Sequence, residues 1–85
     1  MNLPTHRSSS HPGAVLREEF LEPAGITVTG LAAVLCIKRR RLSQIVNEKR
    51  GISRDTATRL AAHYQTTVEF WLNLDAAFKK SAARR

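Results

Sequence analysis

The sequence predicts an all-α fold of five helices. Three observations lead there. Apolar residues recur at i, i+3, i+4 and i+7 in successive stretches, the spacing that lines one face of a helix. No stretch alternates with period two and no hairpin turn separates paired runs. Residues that start and stop helices fall between the periodic stretches.

Residues 1–10, with Pro4 and Ser8-Ser9-Ser10 and almost nothing to bury, predict a flexible N-terminal tail. Pro12 and Gly13 open the first helix, where proline suits the first turn, and His11 is expected to help it start. Leu16 and Phe20 anchor it at i, i+4, and Pro23 with Gly25 stops it. Thr27 caps a second helix carrying the stripe Val28, Leu31, Ala32 and Leu35. The third runs from about 38 to 47 and breaks at Lys49-Arg50-Gly51. Ile52 plugs the core, and Ser53 caps a fourth helix with Ala57, Leu60, Ala61 and Tyr64 inward. Thr66-Thr67 cap a fifth, from about Val68 to Lys80, so that residues 11–80 form one domain and Ser81 to Arg85 a short basic tail.

The third helix has two opposite faces. Leu42, Ile45 and Val46 share one, which is apolar. Arg40, Ser43, Gln44 and Asn47 share the other, at i, i+3, i+4, i+7, and are the donors and acceptors that pair with phosphates and base edges. Four consecutive cations, Lys38-Arg39-Arg40-Arg41, open the segment. The chain's net charge is +7, and residues 38–54 hold seven cations against Glu48 alone, +6 of that total. A charge this concentrated predicts a polyanion against one surface, with the third helix in a DNA major groove. Arg41 points sideways, and its position leaves it either a DNA contact or only the partner of an acid. Arg54 is a candidate phosphate contact, and Arg59 an ordinary surface residue.

The fifth helix is apolar nearly all round: Phe70, Trp71, Leu74, Ala77 and Phe78 cover one arc, Val68, Leu72 and Ala76 another. A helix of this kind is buried on more than one side. In an 85-residue chain the second side is most simply another subunit, with Trp71, Leu74 and Phe78 the candidate dimer contacts. The pattern does not separate core from interface residue by residue.

Several function classes are set aside. No apolar run approaches the ~20 residues of a membrane span, and the first residues lack a signal peptide's apolar stretch, so the expected place is the cytoplasm. The single cysteine excludes an intramolecular disulfide; Cys36 reads as a small buried hydrophobe. His6, His11 and His63 lack metal-ligand spacing, and no metal, cofactor or small-molecule ligand is expected. There is no Gly-rich phosphate loop and no nucleophile with a base signature, so no enzyme is expected.

Residues 28–47 read as a helix-turn-helix, with small Ala32 at the crossing, Leu31, Leu35, Ile37, Leu42 and Ile45 holding the pair, and the turn at Cys36-Ile37. This stretch resembles the Xre-like, lambda-repressor-like helix-turn-helix regulators. The run from His11 to Phe78 resembles more closely the HigA-type antitoxins, through His11-Pro12-Gly13 with Leu16-Arg17-Glu18-Glu19-Phe20-Leu21, then Leu42 to Ser53, then Phe70-Trp71-Leu72-Asn73-Leu74. The resemblance implies a small homodimer that neutralises a toxin, typically a RelE-like mRNA endonuclease, and binds and represses its own operator DNA. It places base reading on Lys38, Arg39, Arg40, Ser43 and Gln44, and phosphate clamping on Thr27, Thr29, Asn47, Lys49 and Arg50. Three residues depart from the family pattern: Cys36 where the turn usually has glycine, Val28 where a phosphate-touching glutamine is common, and Gly30 inside the second helix. If the turn needs a positive φ, Cys36 carries strain there. Glu18, Glu19 and Glu22 form an acidic group on the first helix, either a solvated face or a surface for a basic toxin. A stand-alone regulator without a toxin is the alternative.

Overall fold

The computed structural model describes residues 11–83, with side chains described through Lys80; the expected N-terminal tail lies outside the described residues. Helix α1 runs through three continuous stretches, Pro12–Val15, Leu16–Leu21 and Glu22–Ala24. It is followed by α2 (Val28–Leu35), α3 (Arg39–Val46), α4 (Arg54–Tyr64) and α5 (Val68–Ala83). The five-helix expectation therefore holds among the described residues, with α5 running three residues past Lys80.

The middle of α1 is wound as a π-helix. The Glu22 N–H donates to the Arg17 carbonyl, five residues back rather than four. Pro23 follows and has no N–H to give. The looser winding changes which residues share a face. Leu16 and Leu21, five apart, are both buried, whereas Phe20 is only half-buried against Tyr64 and Trp71. The expected Leu16–Phe20 anchor is thus corrected to Leu16–Leu21, because a 3.6-residue period does not apply across a π turn.

The helix starts are as the sequence implied. The His11 Nδ1 accepts the Gly13 N–H at 2.9 Å. Thr27, Ser53 and Thr67 accept the N–H groups of Gly30, Thr56 and Phe70 at 3.0, 3.2 and 3.1 Å. Thr66 accepts the Trp71 indole N–H at 2.8 Å instead of capping. The ends share one device. At Gly25, Cys36, Glu48 and Gln65 the backbone turns left-handed, and the next N–H reaches back five residues: Ile26 to Leu21, Ile37 to Ala32, Lys49 to Gln44, Thr66 to Ala61. Only one of the four positions is glycine. Cys36 does adopt the positive φ, 59°, and is exposed rather than buried as the sequence implied. Cys36→Gly is expected to stabilise the domain by about 0.5–1 kcal/mol, since a left-handed Cβ is penalised. A urea midpoint that falls in this variant would contradict the strain argument.

The core gathers Leu16, Leu21, Leu31, Ala32, Leu35, Leu42, Ile45, Val46, Ile52, Ala57, Leu60 and Ala61 around Trp71, which is 0% exposed. Trp71 is therefore a core residue of a single chain, and its expected place in a dimer contact is corrected. Leu74 and Phe78 stay half-buried, and Phe78 meets the His11 ring edge-on at 4.8 Å. Phe70, 39% exposed, is the large apolar side chain that α5 leaves most open.

Burial holds the His11 pKa below its ordinary 6.5, against the opposing pull of Glu48, Asp75 and a hydrogen bond to the Arg50 backbone. The unfolded chain then takes up the proton first as pH falls. Stability is expected to be full above about 6.5 and to decline below it. Protonation would also set an Nδ1 proton against the Gly13 N–H. His11→Asn keeps an acceptor at the cap and does not titrate. Urea unfolding at pH 7.5 and 5.5 should show a larger loss in the parent than in the variant; equal losses would exclude His11 as the source.

Candidate nucleic-acid interface

The second and third helices are joined by three residues, Cys36, Ile37 and Lys38. Leu31, Ala32 and Leu35 from α2 and Leu42, Ile45 and Val46 from α3 are buried. That leaves the opposite face of α3 outward, with Arg39, Arg40, Arg41 and Asn47 exposed and Ser43 and Gln44 partly so. Lys38 is the N-cap of α3 and offers its first turn no side-chain acceptor.

The first turn of α3 thus contains arginines and no acid. The helix N-terminus carries partial positive charge, so each added cation there is unfavourable by several tenths of a kcal/mol. Local stability would place Asp or Glu at these positions. An anion bound across the helix start removes the conflict, which makes the basic run a poor structural feature and a good binding one.

The remaining expected contacts lie around this face. Asn47 donates to the Ser43 hydroxyl at 3.4 Å. The Arg50 Nε donates to Gln44 Oε1 at 2.9 Å, which brings Arg50 beside the residues expected to read bases. Lys49 and Arg54 are exposed, as are Thr27 and Thr29 at the start of α2. A shallow concavity of about 300 Å³ opens between Lys38, Arg40, Arg41, Gln44 and Arg50. Arg41 also borders a second hollow with Cys36 and Asp55.

Three supporting residues were not read from the sequence. Arg17 donates to the Val46 carbonyl at the end of α3 and to Glu18 and Glu48 at 3.0 and 3.3 Å. It therefore ties the first helix to α3. Glu18 is partly buried in this group, while Glu19 and Glu22 are exposed. Arg59, expected to be an ordinary surface residue, donates to the Leu35 carbonyl at 3.0 Å and closes the end of α2, held by Asp55 at 3.0 Å. Asp75, 7% exposed, accepts the Ile52 N–H at 3.1 Å and the Lys79 ammonium at 3.0 Å. An acid between Leu74 and Ala76 on an apolar helix was the available signal for Asp75. Arg17 gave none, because its partner is 29 residues away.

A profile of the helix-turn-helix family matches residues 17–71, which contain both helices and the exposed basic face. The chain belongs to the helix-turn-helix family. Among solved structures, this helix-turn-helix chain is similar to Pseudomonas aeruginosa antitoxin HigA with the higBA promoter, at 40% identity and a TM-score of 0.84, covering 86% of this chain and 79% of that one. It is similar to antitoxin GraA in complex with its operator, at 40% identity and a TM-score of 0.79, covering 92% and 79%. Among curated proteins it is 40% identical over 75 residues to virulence-associated protein I of Dichelobacter nodosus, covering 88% of this chain and 69% of the relative. Antitoxin HigA-1 of Vibrio cholerae is 39% identical over 70 residues, covering 82% and 66%. These relatives are longer: the chain spans 63% of the regulator YbaQ of Escherichia coli, at 41% identity. The relatives are helix-turn-helix regulators and antitoxins, not enzymes. Among the described residues there is no cluster of three potential metal ligands, and no helix is long and apolar enough to cross a membrane.

Proposed function

We propose that this chain is a HigA-type antitoxin, cytoplasmic and two-fold paired, that binds its own operator DNA as an autorepressor and neutralises a partner toxin. The observation that carries the DNA half is the acid-free, arginine-rich start of α3, exposed on the second helix of a helix-turn-helix. Lys38, Arg39, Arg40, Ser43 and Gln44 would face base edges, with Thr27, Thr29, Asn47, Lys49, Arg50 and Arg54 on phosphates. One reading helix covers only a few base pairs, so useful affinity asks for two, about 34 Å apart. Exposed Phe70, with half-buried Leu74 and Phe78, is the apolar surface α5 offers a second copy.

The toxin half is supported by the likeness to HigA and GraA antitoxins and by charge placement. A RelE-like mRNA endonuclease acts on a polyanion and is expected to be basic. Glu19 and Glu22 are exposed on α1, while the cations are concentrated around α3. Like charges are thereby kept apart when DNA and a basic toxin bind together. Glu18 contributes less directly, since Arg17 holds it.

The test is co-expression with the product of the neighbouring reading frame. Growth should be rescued and the two proteins should purify together, and Glu19→Lys with Glu22→Lys should weaken that complex while leaving operator binding intact. Failure of rescue with intact operator binding would favour a stand-alone regulator, the reading to which similarity with the regulator YbaQ also leads.

A further inference from the structure

We propose that Asp75, an acid on α5, positions the loop that clamps DNA phosphates, so that losing its hydrogen bond weakens DNA binding even though the surface becomes more positive. The proposal rests on the operator binding proposed above and adds a positioning residue to it.

The segment between α3 and α4 carries Lys49 and Arg50, and Arg54 opens α4. All three are proposed phosphate contacts, and buried Ile52 lies between them in the chain. The early part of the loop is held from α1. Arg17 reaches Glu48 at 3.3 Å, and the His11 ring hydrogen-bonds to the Arg50 backbone. The later part is held from α5, where the Asp75 Oδ1 accepts the Ile52 N–H at 3.1 Å. The approach is close: a Cβ at Gly51 would lie 2.6 Å from that same oxygen. Arg50, Gly51 and Ile52 are consecutive, so the backbone that carries Arg50 is gripped between the two ends of the chain.

Two effects of this acid on DNA have opposite sign. By charge alone, a carboxylate beside a phosphate-binding loop repels phosphate and hinders binding. By position it helps. Asp75 is 7% exposed and fixed by its burial, so the bond it accepts holds the Gly51–Ile52 peptide in one place. Without that bond the Ile52 N–H is left buried and unpaired, which drives the loop to rearrange toward water. A rearranged loop has to be ordered again when DNA binds, at a cost in conformational entropy. The pair with Lys79 gives no comparable hold, because the Lys79 side chain is 71% exposed. The substitutions that remove the charge and those that remove the bond can therefore be told apart.

The experiment measures affinity for a random-sequence duplex against salt for the full chain and for Asp75→Asn, Asp75→Leu and Gly51→Ala. The temperature is one at which circular dichroism shows the proteins folded. Asp75→Asn and Asp75→Leu remove the same charge, but only asparagine keeps an oxygen for the Ile52 N–H. Asp75→Asn should bind at least as tightly as the parent, with the same salt slope. Asp75→Leu should bind more weakly, with a slope flatter by about one unit per lost phosphate contact in each chain. Gly51→Ala keeps the charge and displaces the carboxylate; Gly51 has no positive φ, so the backbone accepts alanine. It should flatten the slope as Asp75→Leu does. Asp75→Leu binding as tightly as Asp75→Asn, or Asp75→Asn weakened as much as Asp75→Leu, would overturn the proposal. If Asp75→Leu does not fold, an unchanged slope in Gly51→Ala overturns it. A parent with no salt-dependent affinity for DNA would overturn the operator-binding reading, and this one with it.

Discussion

Gly13→Ala is expected to remove about 3 kcal/mol or more of folding stability, a large share of the roughly 4–13 kcal/mol available to a domain of this size. A Cβ built at Gly13 would lie 1.7 Å from the Ile45 carbonyl oxygen and 2.6 Å from its carbon. Both atoms are backbone in the last turn of α3, and no side-chain rotation relieves the overlap. The first helix would have to lift off α3 and expose Leu16, which is now wholly buried. Overpacking of this kind usually costs 1–3 kcal/mol, and the helix-propensity gain of alanine over glycine offsets only about 1. A backbone obstacle places this position at or above the upper end. Urea unfolding measures it, and a loss under ~1 kcal/mol would mean that the two helices do not meet as closely as described.

The second large effect is on DNA. If three cations per chain meet phosphate and two chains bind together, affinity should fall about a thousandfold between 50 and 200 mM salt. Lys49→Ala should weaken binding on operator and random DNA alike and flatten the salt slope by about one unit per lost contact. Arg40→Ala should cost roughly 1–3 kcal/mol on the operator and much less on random DNA. Fluorescence anisotropy at several salt concentrations separates the two. Identical behaviour of both variants on both DNAs would sink the division between clamping and reading residues.

The sequence made the helices legible wherever the 3.6-residue period and the local caps agree. Thr27, Ser53 and Thr67 are each followed by the helix they cap, and the two faces of α3 follow from spacing alone. Reading failed where an interaction is not local. The π turn in α1 shifts the inward residue from Phe20 to Leu21, and nothing in a periodicity count announces it. Trp71 stood in the broad apolar arc of α5 without a sign of whether one chain or two would cover it. The fold settles this through Phe20, which comes from the far end of the sequence. The left-handed turns at Glu48 and Gln65 were hidden because only Gly25 announces such a turn by residue type, and the one at Cys36 was raised only through the glycine usual at that place in the family. For the reading face, residue identities were visible but pairings were not. Gln44 and Arg50 are six positions apart across a helix end, and only the folded backbone sets one against the other.

The cationic start of α3 gives the chain two opposed responses to salt. In the free protein, dissolved anions gather round Lys38 to Arg41 and quiet their repulsion of one another and of the helix end. The uncomplexed domain should therefore tighten as salt rises, over the same range in which its grip on DNA loosens. At low salt the order reverses: the fold is at its most strained alone, and a duplex laid across that helix end replaces the missing counterions. Melting temperature with and without DNA should then converge as salt increases, the operator acting as the ion atmosphere the free helix lacks.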